Sequence, residues 1–291
     1  MDRLDDTSWG GRTTFAVILA AAAAATSGAP EWLRTGAQPV EMLAEFARCL
    51  LIIFVLAQLL VRARVRSWKT ALFLCAGLSV FQAAILLGSL LHEHKPLGAY
   101  GVRAAYAAWS TLVAVAVLGL CRVFARGERD ETAPVVGVHY KAVLLAAVAA
   151  IAVGGLWYSP LLFGGAWARL KAGVSAGSVK MSPMEGLGEL LRSGTVAYLL
   201  ARLINFYRFG WRGSLLLGAA LWLGFHATLL LYSVVHEQMP LALLAIHAGH
   251  GLANDLVIAT IVGAWRTPQW IHSGSGASTG AALHEHSGAG Q

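Results

Sequence analysis

Polar and apolar positions fall along this chain in long blocks. Predominantly apolar runs occupy 13–29, 39–61, 70–91, 98–121, 139–158, 183–207, 213–235 and 241–265. A helix crosses a bilayer in about 20 residues, so the pattern predicts an all-α integral membrane protein with eight transmembrane helices. A membrane β-barrel is excluded, because its strands alternate residue by residue. Gly28-Ala29-Pro30 closes the first run and Pro39 opens the second. Ser182-Pro183-x-Glu185 has the form of a capping box with proline at the first helical position. Residues 13–29 have the small-residue ending of a signal peptide, but Asp2, Asp5 and Asp6 precede them. The expectation is a retained first helix.

The polar positions repeat. His92-Glu93-x-x-Pro96-Leu97 lies 144 positions before His236-Glu237-x-x-Pro240-Leu241 (236 − 92). At the same offset Glu41, Glu45 and Arg48 match Glu185, Glu189 and Arg192, while Phe81, Ser89 and Arg122 match Phe225, Ser233 and Arg266. Matching leucines arise by chance in apolar sequence; Glu-x-x-x-Glu-x-x-Arg and His-Glu-x-x-Pro-Leu in one register do not. The expected organisation is a tail at 1–12, a four-helix repeat at 13–122, a charged linker at 123–138, a second repeat at 139–266 and a disordered tail at 267–291. Each unit has an even number of spans, so the two run parallel, about an axis along the membrane normal.

Composition sharpens this picture. The chain is 57% hydrophobic and 13% charged, with a mean hydropathy of +0.63; soluble domains carry about 25% charged residues. The formal charge of +7 is a topology signal and no sign of nucleic-acid binding, because no soluble basic domain carries it. Arg62, Arg64, Arg66, Lys69, Arg122, Arg126, Arg129, Lys141, Arg202, Arg208, Arg212 and Arg266 fall on one side of the eight spans. That side is predicted cytoplasmic, with both termini, and the His92 and His236 turns face outward. Cys49, Cys75 and Cys121 sit inside apolar runs and read as packing residues.

The second unit carries further motifs. Gly154-Gly155-Leu156-Trp157-Tyr158-Ser159-Pro160, continuing to Phe163, Gly164 and Trp167, is followed by Leu221-Trp222-Leu223-Gly224-Phe225 and by Ile246-His247-Ala248-Gly249-x-x-Leu252. These resemble the signature of the DUF1761 family of small bacterial four-helix membrane proteins, over roughly 139–266. The resemblance implies an integral protein of the bacterial inner membrane and brings no established activity. In the loop, Trp157, Tyr158 and Trp167 read most simply as interfacial aromatics, with Ser159 and Pro160 shaping the turn.

Chemistry, if any, is expected on the last helix. His247, His250, Gly251 and Asn254 follow at i, i+3, i+4 and i+7, one stripe of a helix, with Asp255 beside it and His226 on the preceding helix. Imidazoles with a carboxylate form a transition-metal donor set, so His226, His247, His250 and Asp255 are metal candidates, and histidines on two helices could ligate a haem. The plainer reading is interhelical hydrogen bonding beside a close-packing glycine, with no cofactor. Glu189 with Arg192, and Glu45 with Arg48, are spaced to pair along one helix face, either as ion pairs that orient the helix or as the polar lining of a pathway.

Three functions fit: binding or moving a small solute or ion between the two units, a membrane enzyme or metal or haem protein using the histidines, and a scaffold or partner subunit, including a homo-oligomer. No P-loop, nucleophile elbow or His-Glu-x-x-His occurs, which leans away from an enzyme. Solute or ion movement leads, because parallel repeats and intramembrane ionisable residues are its usual features.

Overall fold

The computed structural model of the chain describes residues 16–21, 23, 39–62, 68–92, 97–120, 137–171 and 183–265. Every regular element among them is helical. The helices are α1 (Pro39–Arg62), α2 (Trp68–His92), α3 (Leu97–Leu120), α4 (Tyr140–Trp157), α5 (Gly164–Leu170), α6 (Pro183–Tyr207), α7 (Trp211–Leu221), a π-helical turn (Trp222–His226), α8 (Ala227–Glu237) and α9 (Leu241–Ala264). The expected bounds hold to within two residues for seven runs. Of the expected first helix, 16–21 and 23 are described and helical. The Ser182 cap, the His92–Lys95 turn beyond His92, the linker up to residue 136 and both tails lie outside the described residues.

The structure differs from expectation in two places. The run at 213–235 is interrupted at Trp222–His226, where the helix takes one wide turn before continuing as α8. The loop at 159–182 holds the short α5. Gly164 permits it: a Cβ there would meet the carbonyl oxygens of Tyr158 and Ser159, so only glycine lets the chain fold back at this point.

Six described helices or helix pairs are long and apolar enough to cross a membrane: α1, α2, α3, α4, α7 with α8, and α9. α6 is as long but carries Glu185, Glu189, Arg192 and Arg202. On α4, burial is inverted relative to a soluble protein. α4 buries Ala142, Ala146, Ala147 and Ala150 and exposes Leu144, Leu145, Val148 and Leu156. Lipid tails are as apolar as leucine, so membrane helices turn small residues inward and gain close backbone contact. The described residues form an all-helical membrane protein.

Packing positions the later site. α2 lies against α3 and α6; α1 lies against the π-turn and α8; α9 is held by α4, α6 and α7. Phe81 and Phe225 meet edge to face at 6.5 Å in the middle of the core. Tyr207 donates across to the Leu59 carbonyl at 2.9 Å. Close approach is set by glycine: a Cβ on Gly224 would lie 2.7 Å from Val55 Cβ, and one on Gly218 would lie 2.9 Å from Ala259 Cβ. Gly224→Leu is therefore expected to destabilise by about 1–3 kcal/mol through overpacking. Gly77→Leu, where a Cβ meets nothing within 4 Å, should melt with the parent. Thermal unfolding of the purified protein in detergent checks both.

Candidate functional site

α9 starts behind Pro240, whose extended backbone sets the first turn. Its polar stripe then descends into the membrane, His247 roughly 9 Å and Asp255 roughly 21 Å along the axis at 1.5 Å per residue. Each member meets a side chain from another element or from the next turn. Tyr158 Oη lies 2.8 Å from His247 Nδ1. Asn254 Nδ2 lies 3.2 Å from His250 Nε2. His226 Nδ1, at the end of the π-turn, lies 3.4 Å from Asp255 Oδ2. Asn254, Asp255 and His226 are buried.

Glycines make room for the rings. A Cβ on Gly251 would lie 2.5 Å from His226 Cε1, one on Gly249 would lie 2.8 Å from Trp157 Cζ2, and one on Gly154 would lie 3.1 Å from His250 Nε2. The family-like motif residues hold this arrangement. Trp157 Nε1 donates to the Ile246 carbonyl at 3.1 Å and Trp222 Nε1 to the Ala248 carbonyl at 3.0 Å. Tyr158 stacks edge-on to His250 at 4.9 Å and to Trp167 at 5.8 Å. Ser159 caps the end of α4 on the Leu156 carbonyl at 2.7 Å, and Pro160 is exposed. Of the aromatics read from sequence as interfacial anchors, Trp157 and Tyr158 thus pack on the α9 histidines, and Trp167 packs on Tyr158.

The two Glu–Arg pairs form as spaced. Arg192 Nε reaches both oxygens of Glu189 at 3.0 and 2.8 Å. Arg48 Nε donates to Glu45 Oε2 at 2.8 Å and its Nη2 to Oε1. All four residues are buried. Around Arg48 lies a network that sequence reasoning did not assemble. Tyr106 Oη donates to Glu45 at 2.7 Å. The Arg48 guanidinium lies 5.3 Å from the Tyr106 ring and 6.0 Å from that of Tyr232, and Arg103 covers Tyr232 at 5.3 Å. Arg103 also bonds Glu237 at 3.0 Å and Ser233 at 2.9 Å. Glu237, expected to be part of a turn, is therefore also an ion-pair partner across helices.

His247 is drawn to Tyr158 and His226 to Asp255, and among the described residues no three His, Cys, Asp or Glu side chains gather as a metal group. Cys49 and Cys75 are buried free thiols; Cys121 lies outside the described residues. Three buried polar atoms among the described residues have no hydrogen-bond partner: Gln82 Nε2, Arg103 Nε and Asn254 Oδ1.

Fold and site together define a multi-span helical membrane protein with ionisable side chains buried between its helices. Residues 141–263, from α4 to the end of α9, match the family described as Protein of unknown function (DUF1761). The Trp-Tyr-Ser-Pro loop, the π-turn and the α9 histidines all lie within that match. No curated protein and no solved structure matches the chain.

Proposed function

We propose that the protein is a bacterial inner-membrane carrier or binding protein that takes a small solute or ion into a polar seam between two pseudo-symmetric units. The units are tandem four-helix copies running parallel, eight spans in all, with both termini cytoplasmic. Helix bounds support the duplication. α1, α2 and α3 begin at 39, 68 and 97, and α6, α7 and α9 at 183, 211 and 241. Packing is reciprocal as well: α1 lies on the π-turn and α8, as α2 lies on α6. Even side-chain pairs correspond. Thr111 Oγ1 donates to Gln82 Oε1 at 3.1 Å, and the positions 144 further on are Asp255 and His226.

The observation that carries the functional reading is charge burial on both sides of the seam. Glu45, Arg48, Glu189 and Arg192 are all below 9% exposed. A charge inside a membrane costs at least about 2.5–3.5 kcal/mol, and membrane proteins keep such groups where they face a partner, a cavity or a pathway. The test is swelling of reconstituted vesicles in isotonic potassium chloride, sodium acetate, glycine and glycerol. Entry of one of these, or of protons, above protein-free vesicles, reduced by Arg192→Ala, is the expected result. A scaffold role is the second reading, favoured because each α9 histidine has a protein partner. Folded protein that admits none of the four solutes and no proton would establish it instead.

A further inference from the structure

Positions 144 apart carry different side chains at the seam, and the differences point one way. On the first side Tyr106 bonds Glu45, and Tyr106 and Tyr232 both lie against Arg48. On the second side the matching positions are His250 and Gly88. Gly88 backs onto Arg192, where a Cβ would sit in ordinary contact, 3.6 Å from Cδ. Exposure follows: Glu45 and Arg48 are 2% and 1% exposed, Glu189 and Arg192 7% and 8%. The first site is plugged by two aromatic rings; the second lacks both plugs.

His250 lies at the open site. Glu189 and Arg192 of α6, His226 of the π-turn and His247 are the charged or chargeable groups around it, and Tyr158 covers its face. Asn254 Nδ2 lies 3.2 Å from its Nε2, placed to donate to that nitrogen when it carries no proton. Asn254 is 2% exposed and its Oδ1 has no partner. An orphan buried acceptor is costly to leave in place. It gains a partner once Nε2 carries a proton: Nε2 becomes a donor, and a half-turn of the amide brings Oδ1 to it. The orphan atom is placed to accept from the Nε2–H tautomer and from the imidazolium alike.

Space also selects the ligand. The notches left by Gly154, Gly249 and Gly251 are filled by the rings of His250, Trp157 and His226. A solute with a carbon skeleton finds no notch there; a proton needs none.

We infer, building on the reading of a solute or ion site at the seam, that the ion is the proton and that only the second site admits it. His250 takes it at Nε2 and becomes an imidazolium held by Asn254 Oδ1. The proton then passes to His226, whose ring packs on Gly251, the next residue along α9, and from His226 Nδ1 to Asp255 Oδ2. At each step one base is freed as the next is protonated, leaving neutral imidazoles and a carboxylic acid at Asp255; release of that proton to water on the far side restores the carboxylate and completes the transfer.

The test uses the full chain in phospholipid vesicles with a trapped pH-sensitive dye, an imposed pH step and the membrane potential clamped by potassium and valinomycin. Wild type should dissipate the step faster than protein-free vesicles. His250→Gln and Asp255→Asn should each slow it by at least about tenfold, a modest share of what a positioned proton-transfer group supplies. Gly88→Tyr and His250→Tyr, which install the plugs of the first site, should do the same, with Gly88→Ala as the folding control. Thr111→Val, on the first side, should stay within about twofold, since it removes no group of the relay. No proton flux by wild type overturns the inference; so does flux that His250→Gln and Asp255→Asn leave unchanged. If the vesicles swell in one of the four solutes yet pass no protons, the seam reading stands and the proton assignment fails.

Discussion

Arg48→Ala is expected to cost about 3–5 kcal/mol of stability, because it strands a buried carboxylate. Glu45 is 2% exposed and takes two bonds from that guanidinium. Removing the arginine also removes its contacts with the Tyr106 and Tyr232 rings. Glu45→Gln/Arg48→Met should recover most of the loss, since replacing both members of a buried pair by similar volume is often close to neutral. Arg192→Ala should cost less than Arg48→Ala, because its site lacks the two aromatic plugs. Unfolding of the purified protein by sodium dodecyl sulfate in mixed micelles, followed by tryptophan fluorescence, gives all three values. Equal midpoints for Arg48→Ala and wild type would show that Glu45 is not desolvated.

Gly251→Val should lower stability by about 1–3 kcal/mol through overpacking. Its Cβ would stand 2.5 Å from Cε1 and 2.6 Å from Nε2 of the buried His226 ring. The ring cannot keep its place, so the His226–Asp255 contact goes with it and proton flux falls with stability. His226→Ala in the Gly251→Val background should return part of the stability and none of the flux. That non-additivity is the mark of two residues sharing one space. Additive losses would mean that His226 does not occupy the notch.

The helices were legible in the sequence because they are written in a one-dimensional property. Apolar runs, Pro39, Pro183 and Pro240 locate the ends of α1, α6 and α9 without knowledge of neighbours. The Glu45–Arg48 and Glu189–Arg192 pairs were legible for the same reason, three residues apart on one helix. The partners across helices were not. Tyr106 reaches Glu45 over 61 positions and Arg103 reaches Glu237 over 134; helix-to-helix register is set by which side chains interlock, and no period records it. Thr111 went unnoticed, although it stands 144 positions before Asp255, because a lone threonine in an apolar helix bonds its own backbone, as Thr111 also does at the Ala107 carbonyl. The α9 histidines were found by their stripe, but their division among Tyr158, Asn254 and Asp255 depends on a loop and a wide turn that the stripe does not contain. Trp222-Leu223-Gly224-Phe225-His226 carries no local signal of a π-turn; Gly224 against Val55 and the Trp222 bond to Ala248 are tertiary reasons for it.

The wide turn at Trp222–His226 joins two places that share no atoms. One residue in a helix is about 100° of rotation, so the turn sets the azimuth of α8 relative to α7. It aims His226 at Asp255 near mid-membrane, and further along α8 it aims Tyr232, Ser233 and Glu237 at Arg48 and Arg103. Relaxing the turn to ordinary α-helix would swing all of these off their partners together. The segment is a crankshaft: twisting force applied at the ion pairs toward the end of α8 arrives at the buried histidine as a change of direction.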